Sequence, residues 1–338
     1  MGKIRVGLVF GGRSGEHEVS VRSAASIYRA LDRDKYIVVL LGVDKVGQWH
    51  KLDQKWLPKG AEMKALPSGD KSLVVQEEKV DVFFPIVHGT FGEDGTLQGM
   101  FELLDAAYVG AGVLGSAVGM DKDVQKRLLV QAEIPVARYQ VVKRGQKIKV
   151  DKFPVFVKPA NMGSSVGISK CKSKRGLETA VTAALEFDTK VVVEEEVKGR
   201  EIEISVLGND DPVASVPGEV IAKNEFYDYE AKYIDENGAE LVIPAKLSRD
   251  EVAECQRLAI KTFKVLECAG MARVDMFLTP TGKFVINEIN TLPGFTNISM
   301  YPKLWGASGL PYSKLLGKLI ELAIERKRVK DKLRRSYG

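Results

Sequence analysis

Residues 271–290 read MARVDMFLTPTGKFVINEIN, and this stretch constrains the fold more than any other. Two runs of strand-forming residues, 271–278 and 283–290, flank Thr279-Pro280-Thr281-Gly282, which predicts a β-hairpin. Successive side chains on a strand face opposite ways, so Arg273 and Asp275 share one face and Val274 and Met276 the other. On the second strand Glu288 and Asn290 share a face in the same manner. Two carboxylates and an amide carbonyl converging there form an all-oxygen site. Such a site suits a hard cation such as Mg²⁺, which completes its shell with water and substrate phosphates. The same residues also allow a solvated polar sheet face on which Arg273 merely pairs with a carboxylate.

Upstream, the first third of the chain alternates strand and helix. Residues 4–10 form a short apolar run ending in a Gly-rich turn, and 19–31 carry helical spacing. Residues 36–43 and 80–87 read as further buried strands, and 96–104 as a helix with Leu97, Met100, Phe101 and Leu104 on one face. This βαβ pattern predicts a parallel sheet whose ligands gather at the carboxyl ends of its strands. Residues 44–79 are polar and rich in Gly and Lys, a surface connection without assigned structure. A helix over 121–132 should present Val124, Leu128, Leu129 and Ala132 on one side and stop at Ile134-Pro135. From 153 the texture turns β-rich, with strands over 155–158, 166–169, 191–197 and 201–207 and a helix near 177–185. Residues 208–240 are loop-heavy and hold the aromatic cluster Phe226-Tyr227-Asp228-Tyr229, followed by Tyr233. Ser248-x-x-Glu251 is a capping box opening a helix with inner face Val252, Cys255, Ala259, Phe263 and Leu266. Three segments follow, 1–120, 121–215 and 216–338.

Composition narrows the function. The chain has 338 residues, 45% hydrophobic and 28% charged, with a formal net charge of +5. That is ordinary globular composition at a length that suggests two or three domains. Residues 326–338 (RKRVKDKLRRSYG) carry seven Lys/Arg and one Asp, leaving the rest of the chain nearly neutral. A basic tail without a basic domain argues against a nucleic-acid partner. Cys171, Cys255 and Cys268 form no CxxC pair, the usage of a reducing compartment. No apolar run approaches the ~18–20 residues of a membrane span. Lys3 and Arg5 precede only a brief apolar stretch, which is not a signal peptide. The expected location is the cytoplasm.

Familiar nucleotide motifs are missing. No G-x-x-x-x-G-K-[ST] occurs, and Gly11-Gly12-Arg13-Ser14-Gly15 does not fit G-x-G-x-x-G. The stretch Met162-Gly163-Ser164-Ser165-Val166-Gly167 lies just after Lys158. Its small residues would let backbone N–H groups approach phosphates, although a tight polar hairpin is the plainer alternative. Lys122 and Lys232 could each serve a phosphate or lie on the surface. Residues 88–95 (HGTFGEDG) close the third strand, where ligands are expected.

The order of these signals along the chain resembles the ATP-grasp superfamily and, within it, the D-alanine–D-alanine ligase family. The resemblance is carried by GGRSGEHEVS (11–20), HGTFGEDGTLQG (88–99), VKP (157–159), GSSVG (163–167), FYDYEAKY (226–233), RVD (273–275) and NEINTLPGFT (287–296). It implies an α/β and α+β chain: an N-terminal parallel-sheet domain (preATP-grasp-like) and then a two-part ATP-grasp fold. It also implies residue roles. Glu16, with His88 nearby, would hold the ammonium of a first D-alanine, and Ser164 and Tyr233 would latch two lids by hydrogen bonds to Glu16. Lys122, Lys158 and Lys232 would contact ATP phosphates, Glu194 and Val197 adenine, and Glu201 the ribose. Asp275, Glu288 and Asn290 would hold two Mg²⁺, with Mn²⁺ an acceptable substitute. Arg273 and the Gly294 N–H would face the developing oxyanion, and Ser299 and Met300 the carboxylate of the second D-alanine.

The implied reaction makes an acylphosphate from ATP and one D-alanine, which the amine of the second then attacks. Nearly every step moves negative charge between oxygens, so fixed positive charge and alignment suffice. The loops 160–167 and 224–240 are candidate lids to exclude water. Tyr233 favours an amine acceptor, since relatives that use D-lactate tend to carry Phe there. The partners implied are D-alanine and ATP, without nucleic acid or membrane, in a homodimer. A D-alanine–D-lactate ligase or another ATP-grasp carboxylate–amine ligase is the nearest alternative. More distant are a NAD(P)-binding oxidoreductase using the Gly11–Gly15 turn, and a silent binding protein on the same fold.

Overall fold

The computed structural model describes residues 2–59, 64–66, 79–163, 166–222 and 239–334. Ser164, Lys232 and Tyr233, and the aromatic cluster at 226–229, lie outside the described residues.

The first sheet is built from β1 (Ile4–Gly11), β2 (Tyr36–Val43), β3 (Trp49–Leu52), β4 (Val82–Pro85) and β5 (Ala107–Tyr108). Its order is β3-β2-β1-β4-β5, with β2, β1, β4 and β5 parallel and β3 antiparallel at the edge. The expected 44–79 connection therefore holds an edge strand and a short 3₁₀ turn, Gln54–Trp56. β1 is buried from Val6 onward, which is why it reads as an unbroken apolar run rather than an alternating one. Chain order reverses between β2-β1 and β4, so the crevice at their carboxyl ends is the topological switch point. Gly11 and Gly12 make the turn there at φ +90° and +100°. A Cβ on Gly11 would lie 2.2 Å from the Val43 carbonyl, so only glycine fits.

Helices α1 (His17–Ala30), α2 (Thr96–Leu103), α3 (Val113–Met120) and α4 (Lys122–Gln131) belong to this half and the connection out of it. A four-stranded sheet follows, β6 (Tyr139–Lys143), β7 (Val155–Pro159), β8 (Ser169–Cys171) and β9 (Lys190–Glu195), ordered β6-β9-β7-β8 and backed by α5 (Lys174–Ala184). The strand expected over 166–169 begins only at Ser169, because Gly167 turns through φ +70°. The third sheet is antiparallel and contains β10 (Arg200–Gly208), β11 (Val213–Ala214), β12 (Gly218–Ala222), β13 (Ala239–Val242), β14 (Gly270–Leu278) and β15 (Phe284–Asn290). A division near 215 would separate β10 from β12, which are hydrogen-bonded neighbours. Helix α6 (Arg249–Val265) carries the complete Ser248–Glu251 capping box and packs on this sheet. Helices α7 (Met300–Ala307) and α8 (Tyr312–Asp331) finish the chain.

One core ties the two ends of the sequence together. Leu315, Leu316, Leu319 and Ile320 of α8 pack with Val6, Leu8 and Phe10 of β1 and with Phe295 and Tyr301. Phe295 is fully buried, edge-on to Phe84 at 6.0 Å and tilted 5.5 Å from Tyr301. Its amide donates to Ser23 Oγ of α1 at 3.3 Å. The loop after β15 is thereby held against the carboxyl ends of the first sheet.

Helix α4 departs from its expected stripe. Leu129 is buried and Val124 and Ala132 pack partly beside it, but Leu128 is 37% exposed. Lys122, Asp123, Gln125 and Lys126 are buried instead. This face meets an ionic interior rather than an apolar one.

Candidate active site

The sequence hairpin forms as expected and adds a register detail. Arg273 pairs with Asn290 and Asp275 with Glu288, while Met276 pairs with Ile286, so Asn287 is the extra residue of a β-bulge. A bulge re-aims side chains, and here consecutive residues Asn287 and Glu288 both line one cleft. On the neighbouring β10, Glu203 pairs with Asp275 and Glu201 lies two residues along the same face.

This cleft takes Glu201, Glu203, Arg273, Asp275, Glu288 and Asn290 from the antiparallel sheet. Glu16 and Glu93 enter from the switch-point crevice, Lys122 from α4, and Gly294, Ser299 and Met300 from the loop before α7 and its start. Residues far apart in sequence, which the motifs suggested separately, thus share one cleft. The start of the Gly-rich segment reaches the same place, since a Cβ on Gly163 would lie 3.4 Å from Glu16 Oε2. His88, Lys158, Glu194 and Val197 are not among the residues that line this cleft. His88 reaches the cleft through Glu93, and Lys158 through Asn287.

Arg273 is gripped from two sides. Its Nε and Nη2 each donate to Asp275 at 2.7 Å, and Nε lies 3.1 Å from Glu203 Oε2. Lys122 Nζ donates to the Met162 carbonyl at 2.7 Å and lies 3.9 Å from Glu288 Oε2. Asp121 caps α4 by accepting from the Asp123 and Val124 amides, and Lys190 of β9 bridges Asp121 and Asp123 at 2.7 and 3.0 Å. These contacts fix the helix start that carries Lys122.

His88 is buried, with Nδ1 3.1 Å from the Leu292 carbonyl and Nε2 3.3 Å from Ser23 Oγ. Burial disfavours its proton, but Glu93, 3.6 Å away, and then Glu16 hold its pKa above the ordinary value. Burial pushes the Glu93 carboxyl up, His88 opposes this, and Glu16 adds to it. Behind the cleft, Glu194 Oε2 accepts from Lys158 Nζ at 2.9 Å, and Lys158 also donates to Asn287 Oδ1 at 3.1 Å. Glu194 Oε1 lies 3.1 Å from Lys126 Nζ. Burial works against the charges of Lys158 and Glu194, yet each holds the other ionised, with pKa values moved up and down respectively. Burial wins at Lys126, whose pKa is lowered despite Glu194.

The donor set fits a hard divalent ion. Asp275 and Glu288 are directly paired across strands, and Asn290 Oδ1 already accepts from the Leu292 amide at 3.1 Å with lone-pair capacity to spare. Among the described residues no three His, Cys, Asp or Glu side chains form a metal cluster. Two carboxylates and an amide suit Mg²⁺ that keeps water and takes phosphate oxygens as further ligands. At the other side, Ser299 Oγ accepts from the Thr296 amide at 2.9 Å and immediately precedes α7. The first N–H groups of a helix can hold an anion. Glu93, Glu203, Asn287 and Lys126 escaped the sequence reading. HGTFGEDG contained Glu93, and the alternation of β10 contained Glu203, but nothing local marked Lys126 as buried.

Comparison with known proteins shows the family. A model described as "D-ala D-ala ligase N-terminus" matches residues 5–111, and "D-ala D-ala ligase C-terminus" matches 128–321. D-alanine–D-alanine ligase A of Salmonella typhimurium is 50% identical over 353 residues, covering 96% of this chain and 97% of that protein. Among solved structures, the D-alanine-D-alanine ligase from Coxiella burnetii superposes with TM-score 0.86 at 39% identity, over 98% of this chain and 96% of the other. VanG D-Ala:D-Ser ligase from Enterococcus faecalis gives 0.81 at 33%, over 95% of this chain and 100% of the other. Matches of this extent in sequence and fold make the chain a member of the D-alanine–D-alanine ligase family.

Proposed function

We propose that this protein uses ATP to join two D-alanine molecules into D-alanyl-D-alanine, a cell-wall precursor, through an acylphosphate. The observation that carries this reading is the shared cleft, in which Glu16 faces the oxygen-donor sheet bearing Arg273, Asp275, Glu288 and Asn290. One wall suits an ammonium and the other a phosphate with its counter-ions.

In this reading Glu16 holds the ammonium of the first D-alanine, and His88 with Glu93 positions it from behind. A carboxylate oxygen of that D-alanine attacks the γ-phosphorus and ADP leaves. Lys122, Lys158 and Lys232 neutralise the phosphates. Glu194 and Val197 receive adenine and Glu201 the ribose. Asp275, Glu288 and Asn290 would hold two Mg²⁺, which when bound offset phosphate charge as Lewis acids. The amine of the second D-alanine, its carboxylate on Ser299 and the Met300 N–H, attacks the acyl carbon. Arg273 and the Gly294 N–H meet the oxyanion, inorganic phosphate departs, and the amine loses a proton. Ser164 and Tyr233 close the lids on Glu16 and keep water from the acylphosphate.

The functional segments are 1–120 for the first substrate, 121–215 for nucleotide and 216–338 for metal and second substrate, with β10 of the second segment pairing with β12 and β14 of the third. The same reading places the reaction in the cytoplasm and in a homodimer. Among the described residues no helix is long and apolar enough to cross a membrane. Phosphate release from ATP is the test, with D-alanine, L-alanine and D-lactate, with and without Mg²⁺. Mg²⁺-dependent release with D-alanine alone supports the proposal. A depsipeptide product with D-lactate shifts it to the D-lactate ligase, and no release with any acceptor overturns it.

A further inference from the structure

Lys126 is fully buried on α4 and no step above uses it. Its ammonium sits 3.1 Å from Glu194 Oε1 and 5.8 Å from the Tyr139 ring centroid. Neither Lys126 Nζ nor Glu194 Oε1 makes an aligned hydrogen bond among the described residues. Their 3.1 Å contact compensates two charges in the interior. The other oxygen of the carboxylate is satisfied by Lys158. Glu194 is thus held between two cations, one bonded to Oε2 and one 3.1 Å from Oε1, a contact that leaves Oε1 a second lone pair.

We propose that Lys126 is a positioning residue for nucleobase choice. Its charge keeps Glu194 Oε1 in place as an acceptor for the exocyclic amine of a 6-aminopurine. An ionised acceptor takes an amine donor and repels the carbonyl oxygen of a 6-oxopurine, so the pair selects adenine over guanine. The inference rests on the reading of Glu194 as the adenine contact. Lys126 lies behind Glu194 and acts through it. With Lys126 gone, the carboxylate can turn both oxygens to Lys158 and withdraw the acceptor.

The test is Lys126→Met, which keeps the stem length and replaces a buried ion by an apolar group, a change that buried ion pairs often tolerate. Steady-state phosphate release is measured at saturating D-alanine with ATP and with purine riboside triphosphate, which lacks the 6-amino group. Lost use of a charge-assisted hydrogen bond should raise KM for ATP about tenfold. The kcat should stay within about twofold, and KM for the analogue should not change. A purely structural role would raise both KM values together or lower kcat, and either result overturns the proposal. Glu194→Gln separates the two claims. If it erases the ATP preference while Lys126→Met preserves it, Lys126 has no such role. If both variants preserve it, Glu194 is not the base contact and the proposal falls with that reading.

Discussion

Arg273→Lys separates charge from geometry at the centre of the cleft. The guanidinium bonds Asp275 through two N–H groups, both at 2.7 Å, and its Nε also lies 3.1 Å from Glu203. That planar fork spends two of its five donors on Asp275 and aims the rest by its rigidity. A lysine ammonium preserves the positive charge beside Asp275 and Glu203, so the carboxylates stay compensated and the fold should survive. It cannot bond both Asp275 oxygens in one plane and still present a fixed donor to an oxyanion. Loss of one such donor costs about 2.7–4 kcal/mol of transition-state stabilisation, or ~10²–10³ in kcat. Ground-state binding rests mainly on other residues, so KM for ATP and for D-alanine should change less than about threefold. Coupled assay of ADP formation across both substrate concentrations checks this. A kcat within tenfold of wild type, or a loss carried wholly by KM, would refute the placement of Arg273 at the reacting oxygen.

Three other perturbations test the frame around that site. Gly92→Ala would bring a Cβ within 2.0 Å of the Val87 carbonyl, which the 88–95 turn relieves only by shifting Glu93 and His88. Denaturant melts should show a loss of about 1–3 kcal/mol, with kcat/KM falling in parallel; a stable, fully active variant would contradict the packing. The folded pKa of His88 is raised, because burial is outweighed by Glu93 together with Glu16 and the Leu292 carbonyl. Its stabilising contribution is therefore complete below the unfolded value near ~6.5 and is lost as pH rises through the folded value. Melting temperature should decline over that window in the wild type and stay flatter in His88→Asn, whereas parallel curves would remove His88 as the cause. Chelation of divalent ions should abolish phosphate release and Mn²⁺ should restore it. Glu288→Gln should raise the metal concentration at half-activity by about tenfold or more, as measured by titrating Mg²⁺ at fixed ATP.

How far the sequence reached depended on whether the relevant physics was local. Strand alternation is a property of consecutive residues, so the shared face of Arg273 and Asp275 and that of Glu288 and Asn290 could be read directly. The Ser248–Glu251 capping box was equally legible, since both of its hydrogen bonds close within four residues. The bulge at Asn287 was not, because its side chain answers to Lys158, 129 positions away. Helix α4 shows the limit most plainly. Its apolar residues predicted which way it would face, yet Leu128 is half-turned to solvent while Lys126 is sealed inside. A lysine can be buried only where a distant carboxylate compensates it, and Glu194 comes from another strand altogether. An inward-facing charge is therefore recognisable only once its partner has been placed. For that reason the residues packed behind this cleft were the hardest to find in the sequence, while Glu16, Arg273, Asp275, Glu288 and Asn290, which line it, stood in the motifs.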